Sequence, residues 1–396
     1  MSLNSENILT FVLAGGKGSR LYPLTRDRSK PAVHFAARFR IIDWVLSSAV
    51  NSGLRHTYVL TQFKSLSLEK HLRIGWNFLA HELGEFIQAV PAQQRISEQW
   101  YSGTADAIFQ NLHLLEDHRP DHVFILSGDH IYNMDFNEMF RKHVETNADL
   151  TLSVLELPKT EASEFGVLTM EEDGRITSFI EKPQHPSQIP GAGPVCHINM
   201  GIYIFKTAAL VRELAKDARE TSAHDFGKNI IPGMLVDANV QGFNFVKSKY
   251  GQYWRDVGTI RSYYDANMEF LNLRGEDSLV KSNWKIRGVG EQMPSAYLEK
   301  VEMVNSTIGS GSIIAPCKIT NSLIGRNVQI GKGTMIENSI ITSNCRIGQG
   351  CTIKNAILDD KVVIGDNREI GVNLEEEKKV FFISDGIVVL PKNFEY

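Results

Sequence analysis

The amino-acid sequence predicts an α/β domain built on a mostly parallel sheet, followed by a small β-helix, in a chain of 396 residues. Three observations lead there. Up to about residue 270, apolar runs of strand length alternate with stretches whose apolar residues recur at helical spacing, the pattern of a sheet covered by helices. Beyond residue 300 the aliphatic residues fall five or six apart, with no helical stretch between them. A glycine-rich loop follows the first apolar run, where an open α/β sheet places its ligand crevice.

Strands are expected at 8–13, 57–61, 122–126, 150–155 and 201–205, each a short run rich in aliphatic and aromatic residues. Between the first two, Ile42, Val45, Leu46, Ala49 and Val50 recur at helical spacing, and Gly53 stands where the helix would end. A second helix is expected to start at Thr104 as N-cap and to bury Ala105, Ile108, Phe109, Leu112 and Leu115. The connection to the second region opens with a helix around Ala266 to Leu273 and runs into the polar break Arg274-Gly275-Glu276-Asp277. The expected division is therefore a domain over 1–275, a linker over 276–300 and a second domain over 301–396.

In that second domain the repeating positions are Ile308, Ile313, Ile319, Ile324, Ile330, Ile336, Ile341, Ile347, Ile353, Leu358, Ile364 and Ile370. Gly331, Gly348 and Gly365 return at 17 residues, and tetrads beginning at Asn305, Asn321, Asn338 and Asn355 return at 16, 17 and 17. Three steps thus make one turn, which resembles a left-handed β-helix of hexapeptide repeats. A β-sandwich would not give three equal steps per period.

Composition narrows the function classes. Hydrophobic residues make up 42% and charged residues 22%, with no apolar run long enough for a membrane span. The Met-Ser-Leu-Asn start is unlike a signal peptide, so a cytoplasmic location is expected. A net charge of -4 without a basic stripe argues against nucleic acid as partner. Cys196, Cys317, Cys345 and Cys351 form no CxxC pair, and the lone Cys196-His197 dipeptide lacks zinc-ligand spacing, which points to packing thiols rather than a zinc site.

The chemistry begins at Leu13-Ala14-Gly15-Gly16-Lys17-Gly18-Ser19-Arg20-Leu21. Three glycines in four positions let backbone N–H groups approach an anion, with Lys17, Arg20 and, ten residues on, Lys30 adding positive charge. The loop is neither a Walker A loop nor GxGxxG. After the apolar run Val123 to Leu126, Ser127-Gly128-Asp129-His130 sets a carboxylate at the mouth of the sheet, suited to a metal. Asp256, in Tyr253-Trp254-Arg255-Asp256-Val257-Gly258-Thr259, is the second carboxylate, although Arg255 is an alternative partner for it. Lys182, in Glu181-Lys182-Pro183, offers a point charge for a phosphate on a segment that Pro183 would hold extended. His34, His56, His71 and His130 read as structural or edge residues.

The glycine loop resembles the G-G-x-G-[ST]-R-L-x-P-L-T signature of sugar nucleotidyltransferases. With the segments Lys30 to Phe35, Arg38 to Trp44, Trp100 to Ala107, Ser127 to Tyr132, Phe165 to Val167, Glu181 to Pro183, Met200 to Tyr203, His224 to Lys228 and Tyr253 to Thr259, the chain is similar throughout to the bacterial glucose-1-phosphate adenylyltransferases, or ADP-glucose pyrophosphorylases. The resemblance implies a Rossmann-like catalytic domain, a C-terminal left-handed β-helix, Mg²⁺ dependence, a homotetramer, and transfer of the adenylyl group of ATP to glucose 1-phosphate for glycogen synthesis under allosteric control. It implies Arg20 and Lys30 on the departing pyrophosphate, and Asp129 and Asp256 on the metal. Leu13, Gly15, Gly16, Gly18, Gln62, Tyr101, Gly103 and Thr104 would border the nucleotide, Gln62 matching a position linked to activator communication. Gly166, Glu181, Lys182, Asn199, Tyr203, Asp225, Phe226 and Trp254 would line the sugar phosphate pocket. Arg40 and Lys379 remain as effector contacts.

There are departures. Asn199 stands where the family usually has serine, Asp27 where an activator-binding lysine stands, and Phe382 where several members are basic. Three rivals stay open: another nucleotide specificity, an acyltransferase of the hexapeptide type, and a non-catalytic regulatory paralogue. The second lacks its base, since no histidine follows His224. The third would be expected to lose the cations and carboxylates that this chain keeps.

Overall fold

The computed structural model describes residues 7–93, 100–249, 253–273, 279–290 and 292–396. The break at 274–277 lies outside them. Nine strands form the first sheet: β1 (Ile8–Leu13), β2 (His56–Thr61), β3 (Phe86–Pro91), β4 (His122–Ser127), β5 (Leu150–Pro158), β6 (Gly166–Met170), β7 (Ile176–Glu181), β8 (Val195–Lys206) and β9 (Val240–Asn244). Their order is β7-β6-β8-β4-β1-β2-β3, with β5 paired to β8 and β9 paired to β5.

The class is the α/β architecture expected, and all five expected strands are present. The sheet is mixed, parallel through β4-β1-β2-β3 and antiparallel where β8 meets β4, β5 and β6. The reversal lies in β8, whose residues 202–206 run against β4, 195–205 against β5 and 197–198 against β6. Alternation sorts the core. Val12, Phe124 and Ile204 face one layer, while Phe11, Ile125 and Phe205 face the other, and all six are fully buried.

Helix α1 (Ile41–Asn51) packs Ile42, Val45, Leu46 and Ala49 into the first layer and turns Trp44 toward the second domain. It ends as expected at Gly53, whose φ of 93° precedes a bond from Leu54 N to Ala49 O at 3.0 Å. The second helix differs from expectation. Gly103, not Thr104, is its N-cap, and it is split into α2 (Thr104–Phe109) and α3 (Leu112–His118). At the break the Asn111 side chain donates to Ala107 O at 2.8 Å and to Tyr101 Oη at 2.9 Å.

The C-terminal domain is the expected β-helix, with three stacks of short parallel strands. The first runs through 297–298, 313–314, 329–330, 346–347 and 363–364, the second through 302–304, 318–320, 335–337, 352–354 and 369–370. The third passes 307–308, 323–324, 340–341 and 356–358 to Ile387–Leu390, against which Phe382–Ser384 pairs antiparallel. One expected inward position is corrected: Ile313 is 54% exposed and Ile314 takes its place at 0%. The recurring asparagines mark corners, since Asn305, Asn321, Asn338 and Asn355 have φ of 40°, 46°, 46° and 45°.

Helix α4 (Ile260–Asn272) begins earlier than expected, capped by Thr259, and lies between the domains. Leu323, Ile340, Ile357 and Val389 from the third stack share one apolar cluster with Leu21, Trp44, Ile260 and Tyr263. Among the described residues no helix is long and apolar enough to cross a membrane, and the four cysteines are buried free thiols.

Candidate active site

Leu13 at the end of β1 lies opposite Leu60 of β2 and Ser127 of β4. The residues that follow these strands, the glycine loop, Gln62 and Asp129, therefore emerge at one edge. A cleft of about 560 Å³ opens there and takes in Leu13, Gly15, Gly16, Gly18, Arg20, Lys30, Gln62, Tyr101, Gly103, Thr104, Asp129 and Asp225. Gly18 is required by geometry: its φ is 61°, and a Cβ would sit 2.8 Å from Lys30 Cβ.

Lys30 organises the floor. Its ammonium donates to Asp129 Oδ2 at 3.0 Å and to Asp256 Oδ1 at 2.9 Å, although the three residues are far apart in sequence. A two-stranded ribbon makes this possible, because Trp254–Asp256 pairs antiparallel with His130–Tyr132 and puts Asp256 opposite His130. The alternative partner of Asp256 is thereby resolved: Arg255 turns away and pairs with Glu269 at 2.6 Å. Burial alone would lower the Lys30 pKa, but the two carboxylates outweigh it and hold it above its ordinary 10.5. Burial would raise Asp129, yet Lys30, His130 and the Ser127 hydroxyl, which donates at 2.5 Å, keep its carboxyl well below the usual range. The floor is thus a pair of convergent carboxylates bridged by one ammonium.

Among the described residues no cluster of three or more His, Cys, Asp or Glu side chains is arranged as a metal cage. The donor set still fits a hard cation. Asp129 and Asp256 side chains are 32% and 23% exposed, and Mg²⁺ is commonly held by one or two carboxylates with the remaining positions left to water and phosphate.

The expected sugar-phosphate residues form an adjoining wall; of them the cleft takes in Asp225. Glu181 lies between Gly166 and Gly227, since a Cβ on either would come within 2.9 and 2.6 Å of its Oε2. Burial, then the nearby Asp225 charge, raises the Glu181 pKa. Asn199 donates to the Tyr203 hydroxyl at 2.8 Å and accepts from Gly201 N at 3.0 Å, so both ends of its amide have a partner within the chain. Tyr203 stacks near Phe226 with centroids 5.5 Å apart, and Trp254 sits 5.2 Å from His130. Lys182 is exposed, with a φ of 49° that replaces the extended conformation expected before Pro183. Its N–H bonds Phe165 O at 3.0 Å, which turns the chain at the end of β7.

Other expected roles are modified by their partners. Gln62 is tied to the Tyr101 backbone, accepting from Tyr101 N at 3.0 Å. Arg20 meets Glu164 at 3.4 Å in an exposed pair, weak enough to exchange for a phosphate. Arg40 donates to Ser67 O at 2.9 Å, and burial, then Arg28, lowers its pKa to about 10. Lys379 is engaged elsewhere, with Glu376 at 2.6 Å on the surface. His130, read as an edge residue, places Nε2 at 3.6 Å from Asp129 and 3.9 Å from Asp256. Ser127 joins the site without having been singled out by residue type; its position two residues before Asp129 is the sequence signal for it.

Comparison with known proteins gives the family. The nucleotidyl transferase family model matches residues 9–272, and the GlmU-like C-terminal hexapeptide model matches 293–390. The chain is 44% identical to glucose-1-phosphate adenylyltransferase 2 of Vibrio cholerae, covering 99% of both chains. It is 47% identical to the protein of that name in Vibrio parahaemolyticus, over 99% of this chain and 100% of the other. With glucose-1-phosphate adenylyltransferase of Methylococcus capsulatus it shares 43% identity over 98% of its own length and 93% of the relative's. The chain belongs to the nucleotidyl transferase family and, within it, to the glucose-1-phosphate adenylyltransferases.

Proposed function

We propose that this chain transfers the adenylyl group of ATP to α-D-glucose 1-phosphate, releasing pyrophosphate and giving ADP-glucose for α-glucan synthesis. The observation that carries the reading is the Lys30-bridged pair Asp129 and Asp256 on the floor of a cleft roofed by the glycine loop. A phosphate oxygen of the sugar attacks the α-phosphorus while pyrophosphate leaves in line, so the protein has to align two polyanions and neutralise their charge. Arg20 and the glycine-loop N–H groups receive the departing phosphates. Lys30 keeps both carboxylates convergent and adds its own charge. Lys182 takes the sugar phosphate, and Glu181, Asn199, Tyr203, Asp225, Phe226 and Trp254 form the sugar wall. Asp129 and Asp256 would hold Mg²⁺, which when bound supplies the charge neutralisation that two carboxylates and an ammonium cannot.

We place the catalytic domain at 1–275, the linker at 276–300 and the β-helix at 301–396, and take the enzyme as a cytoplasmic homotetramer. Support for assembly comes from the first coil, where Tyr297, Leu298, Met303 and Val304 are 63, 47, 44 and 60% exposed. A phosphorylated or carboxylate metabolite acting through Arg40 and Lys379 would regulate it.

The test is pyrophosphate release from ATP and glucose 1-phosphate, with UTP, dTTP and GTP as competitors. Mg²⁺-dependent release with ATP preferred is expected. Equal or better turnover with dTTP would overturn the nucleotide assignment, and no release from any pair would favour the regulatory paralogue. Saturation curves unchanged by fructose 6-phosphate, fructose 1,6-bisphosphate or pyruvate would remove the effector assignment, and light scattering that reports a monomer would remove the tetramer.

A further inference from the structure

Two segments about 120 residues apart in sequence are stitched together across the cleft. On one side is the N-terminus of α2, beside the residues assigned to the nucleotide. On the other is the turn that follows His224. The Thr104 hydroxyl donates to Asp225 Oδ2 at 2.9 Å and accepts from Phe226 N at 3.0 Å. Both its donor and an acceptor site are therefore committed to the sugar side. The His224 carbonyl accepts from Ala105 N at 2.9 Å and Asp106 N at 3.3 Å, taking up two of the helix's free N–H groups. The other Asp225 oxygen accepts from Gly227 N and Lys228 N at 3.0 and 3.1 Å, so Thr104 alone, among these contacts, links this carboxylate to the opposite wall.

The backing is equally specific. Gly103 admits no side chain, since a Cβ there would lie 2.2 Å from His224 O and 2.3 Å from Ala223 O. His224 adopts a φ of 49° and is held by Asp217 at 2.7 Å and by Ser222 at 3.1 Å. Asp217 closes the helix Thr207–Asp217, so the stitch is anchored in the core layer rather than in a free loop.

We propose that Thr104 is a positioning residue rather than a nucleotide contact: its hydroxyl holds the Asp225 carboxylate in place for the sugar phosphate and so couples the two halves of the cleft. This rests on the activity proposed above. The coupling follows from the shared atom. Anything that fixes α2 against a bound nucleotide also fixes Asp225, and an unheld Asp225 is repelled by the neighbouring Glu181 carboxylate.

The experiment compares Thr104→Val, which keeps shape and loses the hydroxyl, with Thr104→Ser, which keeps the hydroxyl, and with the smaller Thr104→Ala. Thr104→Val and Thr104→Ala should raise KM for glucose 1-phosphate about tenfold, the effect of one lost hydrogen bond to a charged group, with the ATP KM within about twofold. Thr104→Ser should return most of it. ADP-glucose affinity, which needs both halves, should fall with the sugar KM, whereas ATP affinity should not. Equal shifts for both substrates would make Thr104 a nucleotide contact, and a serine variant as poor as valine would make its role structural; either sinks the proposal. Amide exchange of the 222–230 segment in the substrate-free enzyme reads the stitch without any turnover. It should quicken in Thr104→Val and recover in Thr104→Ser, and unchanged exchange would overturn the stitch. A wild-type chain inert toward ATP and glucose 1-phosphate would instead refute the activity.

Discussion

At the scale of single residues, the proposed phosphate-binding lysine and the proposed metal-holding carboxylate should fail differently when removed. Lys182 is exposed, and in the proposed reaction it would meet a charge present in both ground and transition states, whereas Asp129, paired with Lys30, would act where charge is redistributed. Lys182→Ala should mainly raise KM for glucose 1-phosphate, by roughly 1.5–3 kcal/mol for a lost charged hydrogen bond, with modest change in kcat. Asp129→Asn preserves shape and should cut kcat by roughly two to four orders of magnitude. Near-normal kcat in the second variant, or unchanged sugar saturation in the first, would reverse the assignments. Away from the site, His143 gives a pH prediction. Its ring is 1% exposed, bonded through Nδ1 to Thr151 at 2.8 Å, and burial, then His122 and Lys206, lowers its pKa from 6.5 to about 3 against the opposing pull of Asp149. Between those values the unfolded chain takes up a proton that the folded chain refuses. Stability is thus present above pH 6.5 and lost as pH falls toward 3, by up to about 1.4 kcal/mol per pH unit from this group. His143→Asn should flatten the dependence of Tm on pH in that window, and an unchanged slope would assign it to other groups.

At the scale of elements, the β-helix shows why some features were legible in the sequence and others were not. Its period is written in every coil, because an inward aliphatic and a left-handed corner recur at fixed spacing, and only one register error arose, at Ile313, where two isoleucines are adjacent. The strands β3, β6 and β9, by contrast, carry weak signals: Phe86, Ile87, Ala89, Thr169 and Met170 in the first two are only half-buried, and β9, though buried, is interrupted by Gln241 and Gly242, so no long apolar run announces them. The antiparallel half of the sheet was hidden for a different reason, since strand direction depends on what links the strands and not on strand composition. Corner asparagines are the testable part. Asn344 has a φ of 64°, accepts from Asn327 at 2.9 Å and donates to Asp360 at 3.0 Å. Asn344→Ala should lower stability by about 1–3 kcal/mol through the left-handed strain and the lost ladder bonds, and Asn344→Gly should regain about 1 kcal/mol of it. If glycine were no better than alanine in chemical denaturation, backbone strain would not be the cause.

At the scale of the whole molecule, the sequence division into two domains understates how they are joined. The glycine loop leads directly into the shared core at Leu21, Phe382 packs edge-on against Tyr22 at 5.8 Å, and Arg26 donates to Lys392 O at 2.7 Å. Deepest is the pair of Arg28 and Asp359 at 2.7 Å, with side chains 4% and 3% exposed, two residues from Lys30. No spacing rule could have joined positions 331 apart; only the docked β-helix does so. Burial raises the Asp359 pKa above 3.8 in spite of Arg28, which means that desolvation outweighs the attraction and the pair adds little net stability. Its value is in register: a charged residue on each domain can be buried only if the two domains meet in this one alignment. Asp359→Asn should therefore cost about 3–5 kcal/mol, because Arg28 is left buried without a counter-charge, while Arg28→Met with Asp359→Leu should recover most of that loss. The two variants should part company in catalysis. If the pair holds the segment that carries Lys30, the apolar double variant will fold stably yet show a lower kcat than wild type. A double variant with wild-type kcat would confine Arg28 and Asp359 to the interface and leave Lys30 positioned by its own two carboxylates.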